Sequence, residues 1–298
     1  MIPALHSVSY GGVWPGHSRL GLTDFLRKAA ELGYPGVELA AKRPHLSPLD
    51  YDEARLAEVK GLCDELGLRI VCLASYHDFS AGGDHPDMAH QQKEVLYLRA
   101  VLEMAAALGA PVVRTYTGYH HDKPDYWQQW RWISDSIAEA AATAEAVGVK
   151  LGVQNHSTIA CHHQALLALL DEIGSDAVGL VLDAPTLHMQ GEDPASVVRA
   201  CAGKVLHSHV SDFRALRYFE YDPAWVRYTE GEAVDLAVPA GQGYINYRAF
   251  LAALKAAGYD GALSYEMCSP LLGGGSMENL DRCARETLRF LVETWEAA

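Results

Sequence analysis

Acids, imidazoles and one carboxamide recur in this chain at the ends of short apolar runs. One run leads into Gln154, Asn155 and His156, another into Asp183, a third carries His207 and His209, and a fourth ends at Glu266. His6, Glu38, His77, Arg114 and Tyr116 lie in or just after the earlier runs. An Asp, a His and a Glu buried side by side are costly without a compensating partner. A divalent cation is the simplest partner, since carboxylate, imidazole and carboxamide donors suit Mn²⁺, Mg²⁺, Co²⁺ or Zn²⁺ and leave room for substrate oxygens. The competing reading has each group capped separately by backbone amides and salt bridges.

The elements that would have to position these groups alternate from end to end. Short β-type runs are expected at 5–9, 36–40, 69–75, 111–116, 150–156, 178–183, 204–210 and 261–267. Between and after them come helical stretches near 22–32, 51–66, 92–108, 127–147, 163–173, 195–202, 247–257 and 277–295, several stopping at a Gly that can serve as a C-cap. Strands that are continuously apolar suit a parallel sheet covered on both faces. About eight strand-plus-helix units of roughly 37 residues use up the 298 residues, which predicts an α/β fold made of one (β/α)₈ TIM barrel over 1–298. A doubly wound open sheet is the rival, but SYGGVWPG lacks the GxGxxG turn. The rhythm breaks once, at 211–244 after strand seven, a long Tyr-, Glu- and Asp-rich loop insertion on the face where barrel active sites occur.

The segments GYPGVELA, LGVQNH, VLDAPTLHMQGEDP, VLHSHVSD and GQGYINYRAFLAALKAAGYDGALSYEM resemble the xylose isomerase-like TIM barrels, the sugar phosphate isomerase/epimerase superfamily, over nearly the whole chain. The resemblance implies one divalent metal ion, Mn²⁺ first among the candidates, held at positions matching Gln154, Asp183, His209 and Glu266. Most relatives have Glu where this chain has Gln154, and in the 3-epimerase branch that Glu and the last-strand Glu act as two bases on opposite faces of one carbon. Gln can lend a carbonyl oxygen to a metal but cannot take a proton. By the same resemblance Glu38 and His77 match substrate-hydroxyl positions, and His188 matches a substrate-facing histidine. From the residues themselves, His156 shares a strand side with Gln154 and can serve as acid, base or hydrogen-bond donor. Arg114 and Arg214 can neutralise a substrate anion, whereas Arg217 reads better as a surface ion pair. Tyr116 can stack on a sugar face, and His207 reads as a core histidine.

The expected function is therefore a divalent-metal-dependent sugar isomerase or epimerase acting on a keto or aldo sugar, or a sugar acid, through a metal-stabilised enediolate. The alternative is a one-base lyase (dehydratase, decarboxylase or keto-glycoside cleaving enzyme) on an oxidised sugar. Remoter readings are an endonuclease IV-like DNA repair enzyme and a non-catalytic sugar-binding subunit. A net charge of −14, with no Lys/Arg run, argues against nucleic acid and anionic membrane partners. The opening MIPALHSVSYGG lacks a basic leader and a long apolar stretch, so no signal peptide is expected. Six scattered cysteines without CxxC spacing read as reduced thiols of a cytoplasmic protein. A homo-oligomer, dimer or tetramer, is expected, with the aromatic segment 218–228 covering a neighbour's site or its own.

Overall fold

A computed structural model of the chain describes residues 1–82, 87 and 89–298. Strands β1 (Ile2–His6), β2 (Gly36–Ala40), β3 (Arg69–Ala74), β4 (Val112–Thr115), β5 (Lys150–Gln154), β6 (Val178–Asp183) and β7 (Val205–Val210) pair in parallel. The insertion follows with β8 (Asp212–Leu216), β9 (Phe219–Asp222), β10 (Arg227–Glu230) and β11 (Val234–Val238), and β12 (Ala262–Tyr265) then joins β7 to β1 and closes the barrel. Helices α1 (Leu22–Glu31), α2 (Glu53–Leu66), α3 (His90–Leu108), α4 (Tyr126–Val147), α5 (His163–Ile173), α6 (Ala184–Met189), α7 (Pro194–Ala200), α8 (Tyr247–Ala256) and α9 (Met277–Ala297) form the outer layer. The C-terminal turns of α2, α3, α4 and α5 end on Gly67, Gly109, Gly148 and Gly174, all left-handed, as the sequence pattern required.

The period of two along each strand sorts the barrel's two faces. Leu5, Val37, Leu39, Val113, Leu151, Val153, Leu180, Leu182 and Leu263 join the main hydrophobic core that includes the helices. The alternate positions turn inward. Near the strand starts they form a small apolar plug of Ala4, Val71, Val112 and Ala262. Near the strand ends the same alternation delivers His6, Glu38, Arg114, Gln154 and Asp183, all buried. Register completes the grouping, because His6 pairs with Glu38 and Asp183 with His209. The register shifts between Val37 and Glu38, where β3 carries the extra Val71, and between Leu180 and Val181, where β7 carries the extra Leu206.

Three details differ from the sequence expectation. The first strand ends at His6, not Ser9, because the His6 ring accepts from Val8 N and caps a 3₁₀ turn over Ser7–Tyr10. An extra short helix, α6, begins directly on Asp183, whose carboxylate caps it at Thr186 N with Pro185 in its first turn. The 211–244 segment, expected as a long loop, pairs with itself: β8 runs antiparallel to β11, and β9 to β10. The β9–β10 hairpin leaves Tyr221, Trp225, Val226 and Tyr228 exposed.

Asp212 ties the insertion back to the barrel. It is fully buried, and its carboxylate accepts from Phe213 N at 2.9 Å, Ile245 N at 3.2 Å, Gly241 N at 2.9 Å and Gly243 N at 2.8 Å. This clasp explains the Gly-x-Gly of residues 241–243: a Cβ on Gly243 would overlap both Asp212 Oδ1 and Phe213 O. G243A is expected to lower stability by about 1–3 kcal/mol through this overlap, read as a lower urea midpoint at unchanged m-value. An unchanged midpoint would show that the clasp does not anchor the insertion.

Candidate active site

Four strand ends meet at the barrel mouth. Gln154 closes β5, Asp183 closes β6, His209 lies near the end of β7, and Glu266 follows β12. Gln154 Nε2 donates to Asp183 Oδ2 at 3.0 Å. His209 lies between two carboxylates, with Nε2 3.0 Å from both oxygens of Glu38 and Nδ1 3.0 Å from Glu266 Oε2. His207 Nε2 reaches Glu38 Oε2 at 2.9 Å, and His6 Nε2 stands 3.6 Å from both Glu38 and Glu266. Glu38 is only an acceptor when ionised, so the proton between it and His209 resides on Nε2. That fixes Nδ1 as the nitrogen facing Glu266 and Asp183.

Burial and charge oppose each other across this cluster. Burial works against a charged His209, yet Glu38 and Glu266 outweigh it and raise the imidazole pKa to about 10. The reciprocal holds for Glu266, where burial pushes upward but His209 holds the carboxyl well below the usual carboxylate range. Asp183 is raised by burial and by the neighbouring Glu266 charge. His6 falls to about 4, because burial dominates the pull of Glu38 and Glu266.

A metal ion fits this donor set. Ligand atoms of Asp183, His209 and Glu266 lie within 4.8 Å of one another, and all three residues are buried. His209 Nδ1 and Gln154 Oε1 are buried with no hydrogen-bond partner among the described residues. Nδ1 is thus close to Glu266 Oε2 without being aligned for a shared proton, as for two ligands of one cation. Glu38 would then be the outer carboxylate that orients a ligating histidine through its far nitrogen.

A sequence profile of the xylose isomerase-like TIM barrel matches residues 26–294. The chain belongs to that family. The xylose isomerase-like barrel is 24% identical over 208 residues to the fructoselysine 3-epimerase of Escherichia coli O157:H7, covering 66% of this chain and 74% of that one. It is 29% identical over 167 residues to the C-glycoside deglycosidase alpha subunit of Microbacterium trichothecenolyticum, covering 54% and 41%. Its fold is similar to the crystal structure of D-psicose 3-epimerase with D-tagatose from Clostridium cellulolyticum H10, with TM-score 0.75, 18% identity and 99% of each chain covered.

In this xylose isomerase-like barrel a cavity of about 250 Å³ opens beside Asp183 and Glu266, with Trp14, Tyr116, His156 and Asp235 among its walls. A larger one, about 430 Å³, lies at the opposite barrel end against Ile2, Val71, Val112 and Ala262; none of Asp183, His209 or Glu266 lines it, whereas Asp183 and Glu266 line the smaller. The other residues singled out by sequence fall in several places. Arg114 is fully buried between the rings of Tyr76 and Tyr116; one nitrogen donates to Ser75 O, and Nε and the other terminal nitrogen have no partner among the described residues. Glu38, expected at substrate hydroxyls, is fully buried against histidines. His77 is enclosed too, bonded to Ser75 and Glu94 and stacked on Phe79, where it holds its loop. His188 is exposed and stacks on Tyr244, and Arg214 is exposed and donates to Gln242 O. Arg217 forms an exposed two-point ion pair with Glu230.

Sequence reasoning passed over Asp235, which β11 carries to the cavity, and Lys42, which stands 3.5 Å over the Tyr76 ring. Neither ends a barrel strand, so neither carried a signal. His6 did carry one, through its alternation with Ala4 in the first run.

The raised His209 pKa sets a pH dependence. Its folded value of about 10 lies above the unfolded 6.5, so this group stabilises the metal-free protein below pH 6.5 and loses that effect as pH rises through about 10. A cation at Nδ1 must displace the proton, so Mn²⁺ affinity is expected to rise about tenfold per pH unit between about pH 7 and 9, with one proton released. Calorimetric titration in buffers of different ionisation enthalpy reads both. No proton release would contradict the assignment of Nδ1 as a ligand.

Proposed function

We propose that this protein is a divalent-metal-dependent enzyme acting on a carbonyl sugar or sugar acid, as an isomerase or epimerase, with Asp183, His209, Glu266 and the Gln154 carbonyl oxygen as ligands. The observation that carries the reading is that ligand atoms of three buried residues lie within 4.8 Å of one another, with Gln154 bonded to Asp183 through Nε2 and its Oε1 without a partner among the described residues. A divalent ion there would chelate neighbouring substrate oxygens and acidify the carbon next to a carbonyl. Relatives named as sugar epimerases support the substrate class. Six free cysteines support a reducing, cytoplasmic setting, and among the described residues no helix is long and apolar enough to cross a membrane.

The proton-handling groups are unequal. Glu266 lines the cavity, stays ionised and is the base. Gln154 cannot take a proton, and its amide is already committed to Asp183. His156 also lines the cavity; its Nδ1 accepts from Ser157 N at 2.6 Å, so the neutral ring presents Nε2–H. Burial lowers its pKa, which keeps it neutral and makes it a hydrogen-bond donor to a substrate oxygen rather than a second base. One base suffices to move a proton between adjacent carbons on one face, whereas inverting a single carbon needs a donor on the other face. The same asymmetry favours a second reading, a lyase in which Glu266 removes the proton and a β-substituent departs, in line with similarity to a C-glycoside deglycosidase subunit. The neutral Gln154 leaves two ligand carboxylates against a divalent ion, and the buried Arg114 adds a positive charge, which together favour an anionic sugar acid. The exposed aromatic β9–β10 hairpin supports assembly into a dimer or tetramer.

With Mn²⁺ and a panel of keto sugars and keto acids in D₂O, deuterium uptake without loss of a fragment marks isomerisation, and a released fragment marks the lyase. E266Q is expected to lower kcat by about 100- to 10,000-fold with unchanged circular dichroism. Activity retained in E266Q, or no turnover and no metal uptake by the wild type, would overturn the proposal.

A further inference from the structure

The loops after β5 and β6 meet a second time through residues that line neither the cavity nor the Asp183, His209 and Glu266 cluster. His162 is the N-cap residue of α5 and His163 its first residue; Glu192 lies between α6 and α7. His162 Nε2 stands 3.1 Å from Glu192 Oε1, and His163 Nδ1 contacts the same oxygen. The two rings are 4.7 Å apart. Ligand atoms of the three residues all fall within 4.8 Å of one another. The Glu192 side chain is only 6% exposed, yet its Oε2 has no hydrogen-bond partner among the described residues. The imidazoles are 48% and 19% exposed, so the cluster opens to solvent on one side.

Two imidazoles and a carboxylate around one point, with an open fourth position, form a donor set suited to Zn²⁺. We propose that His162, His163 and Glu192 form a Zn²⁺ site separate from the barrel-mouth cluster, with water in the fourth position. His163 ligates through Nδ1 and Glu192 through its carboxylate. His162 ligates through Nε2, which moves its ring proton to Nδ1 and gives up the 3.3 Å bond from Gln164 N, a long cap bond on an exposed turn. The site clips the β5–α5 loop, which carries Asn155 and His156, to the chain that leaves Asp183 through α6. That loop holds two non-glycine residues at positive φ, Ser157 at 88° and Ala160 at 55°, a conformation that persists only where neighbouring structure enforces it. The clip therefore bears on how firmly His156 is held at the cavity wall.

The test is Zn²⁺ stoichiometry, by competition with a chromophoric chelator and metal analysis, on the full chain and its H163A and E192Q variants. Wild type is expected to hold one more Zn²⁺ per chain than either variant. At the remaining level of binding, affinity for that ion falls by at least about 100-fold, since loss of an outer partner alone costs roughly 10- to 100-fold. This difference of one ion stands whether or not the barrel mouth binds metal, so wild type holds two and H163A one if it does, and one and none if it does not. Zn²⁺ should also raise the Tm of wild type more than that of H163A. Equal stoichiometry and equal Tm shifts in wild type, H163A and E192Q would overturn the proposal.

Discussion

His209 is clamped between Glu38 and Glu266, and the interior of the barrel is arranged around that contact. A carboxylate taken out of water is tolerated only when it is paired, and removal of either partner leaves an uncompensated buried charge. Glu38 meets this condition with three histidines drawn from two strands, His6 from β1 and His207 and His209 from β7. Glu266 meets it with His209 alone at close range, and His6 stands farther off at 3.6 Å. The carboxylate facing the cavity is thus the one with less protein around it. A cation shared with Asp183 would supply what the protein does not.

The barrel divides its interior to make this possible. Small apolar side chains fill the end near the strand starts, and the ionisable ones gather near the strand ends, so one closed sheet supplies both a packed plug and a polar mouth. Extra residues Val71 in β3 and Leu206 in β7 shift the register, so that Cys72 lies opposite Glu38 and His209, not Ser208, lies opposite Asp183. The insertion, anchored by Asp212 and the 241–245 turn, then brings Phe213 and Asp235 over one side of the cavity. Gln154 is neutral, so it brings neither a charge nor a proton acceptor to the mouth, and its amide nitrogen donates to Asp183.

Much of this was legible in the sequence because strands and helices alternate with clear stops, and because a strand's inward face recurs every second residue. The barrel and the gathering of polar residues at its strand ends follow from that, whereas singling out Gln154, Asp183, His209 and Glu266 among them came from the family resemblance. What escaped depended on longer-range pairing. Nothing local separates a Glu38 that meets substrate from one that meets three histidines across the barrel. His77 was expected at substrate hydroxyls, but Ser75 and Glu94 take both of its ring nitrogens. Helix α6 was hidden by its length, although Asp183, Pro185 and Thr186 spell an N-terminus. The β8–β11 ladder was hidden because its two five-residue runs, DFRAL and VDLAV, mix Asp and Arg with apolar residues in no regular alternation.

The central claim is that Gln154 serves as a neutral metal ligand beside Asp183, His209 and Glu266. Crystals of the protein soaked in Mn²⁺ and measured for anomalous scattering test it most directly. The account predicts an anomalous peak about 2.0–2.3 Å from Asp183, His209 Nδ1, Glu266 and Gln154 Oε1, with the ring of His209 still bonded to Glu38. A mouth without a peak, or a peak ligated through His209 Nε2 or without Gln154 Oε1, would contradict it.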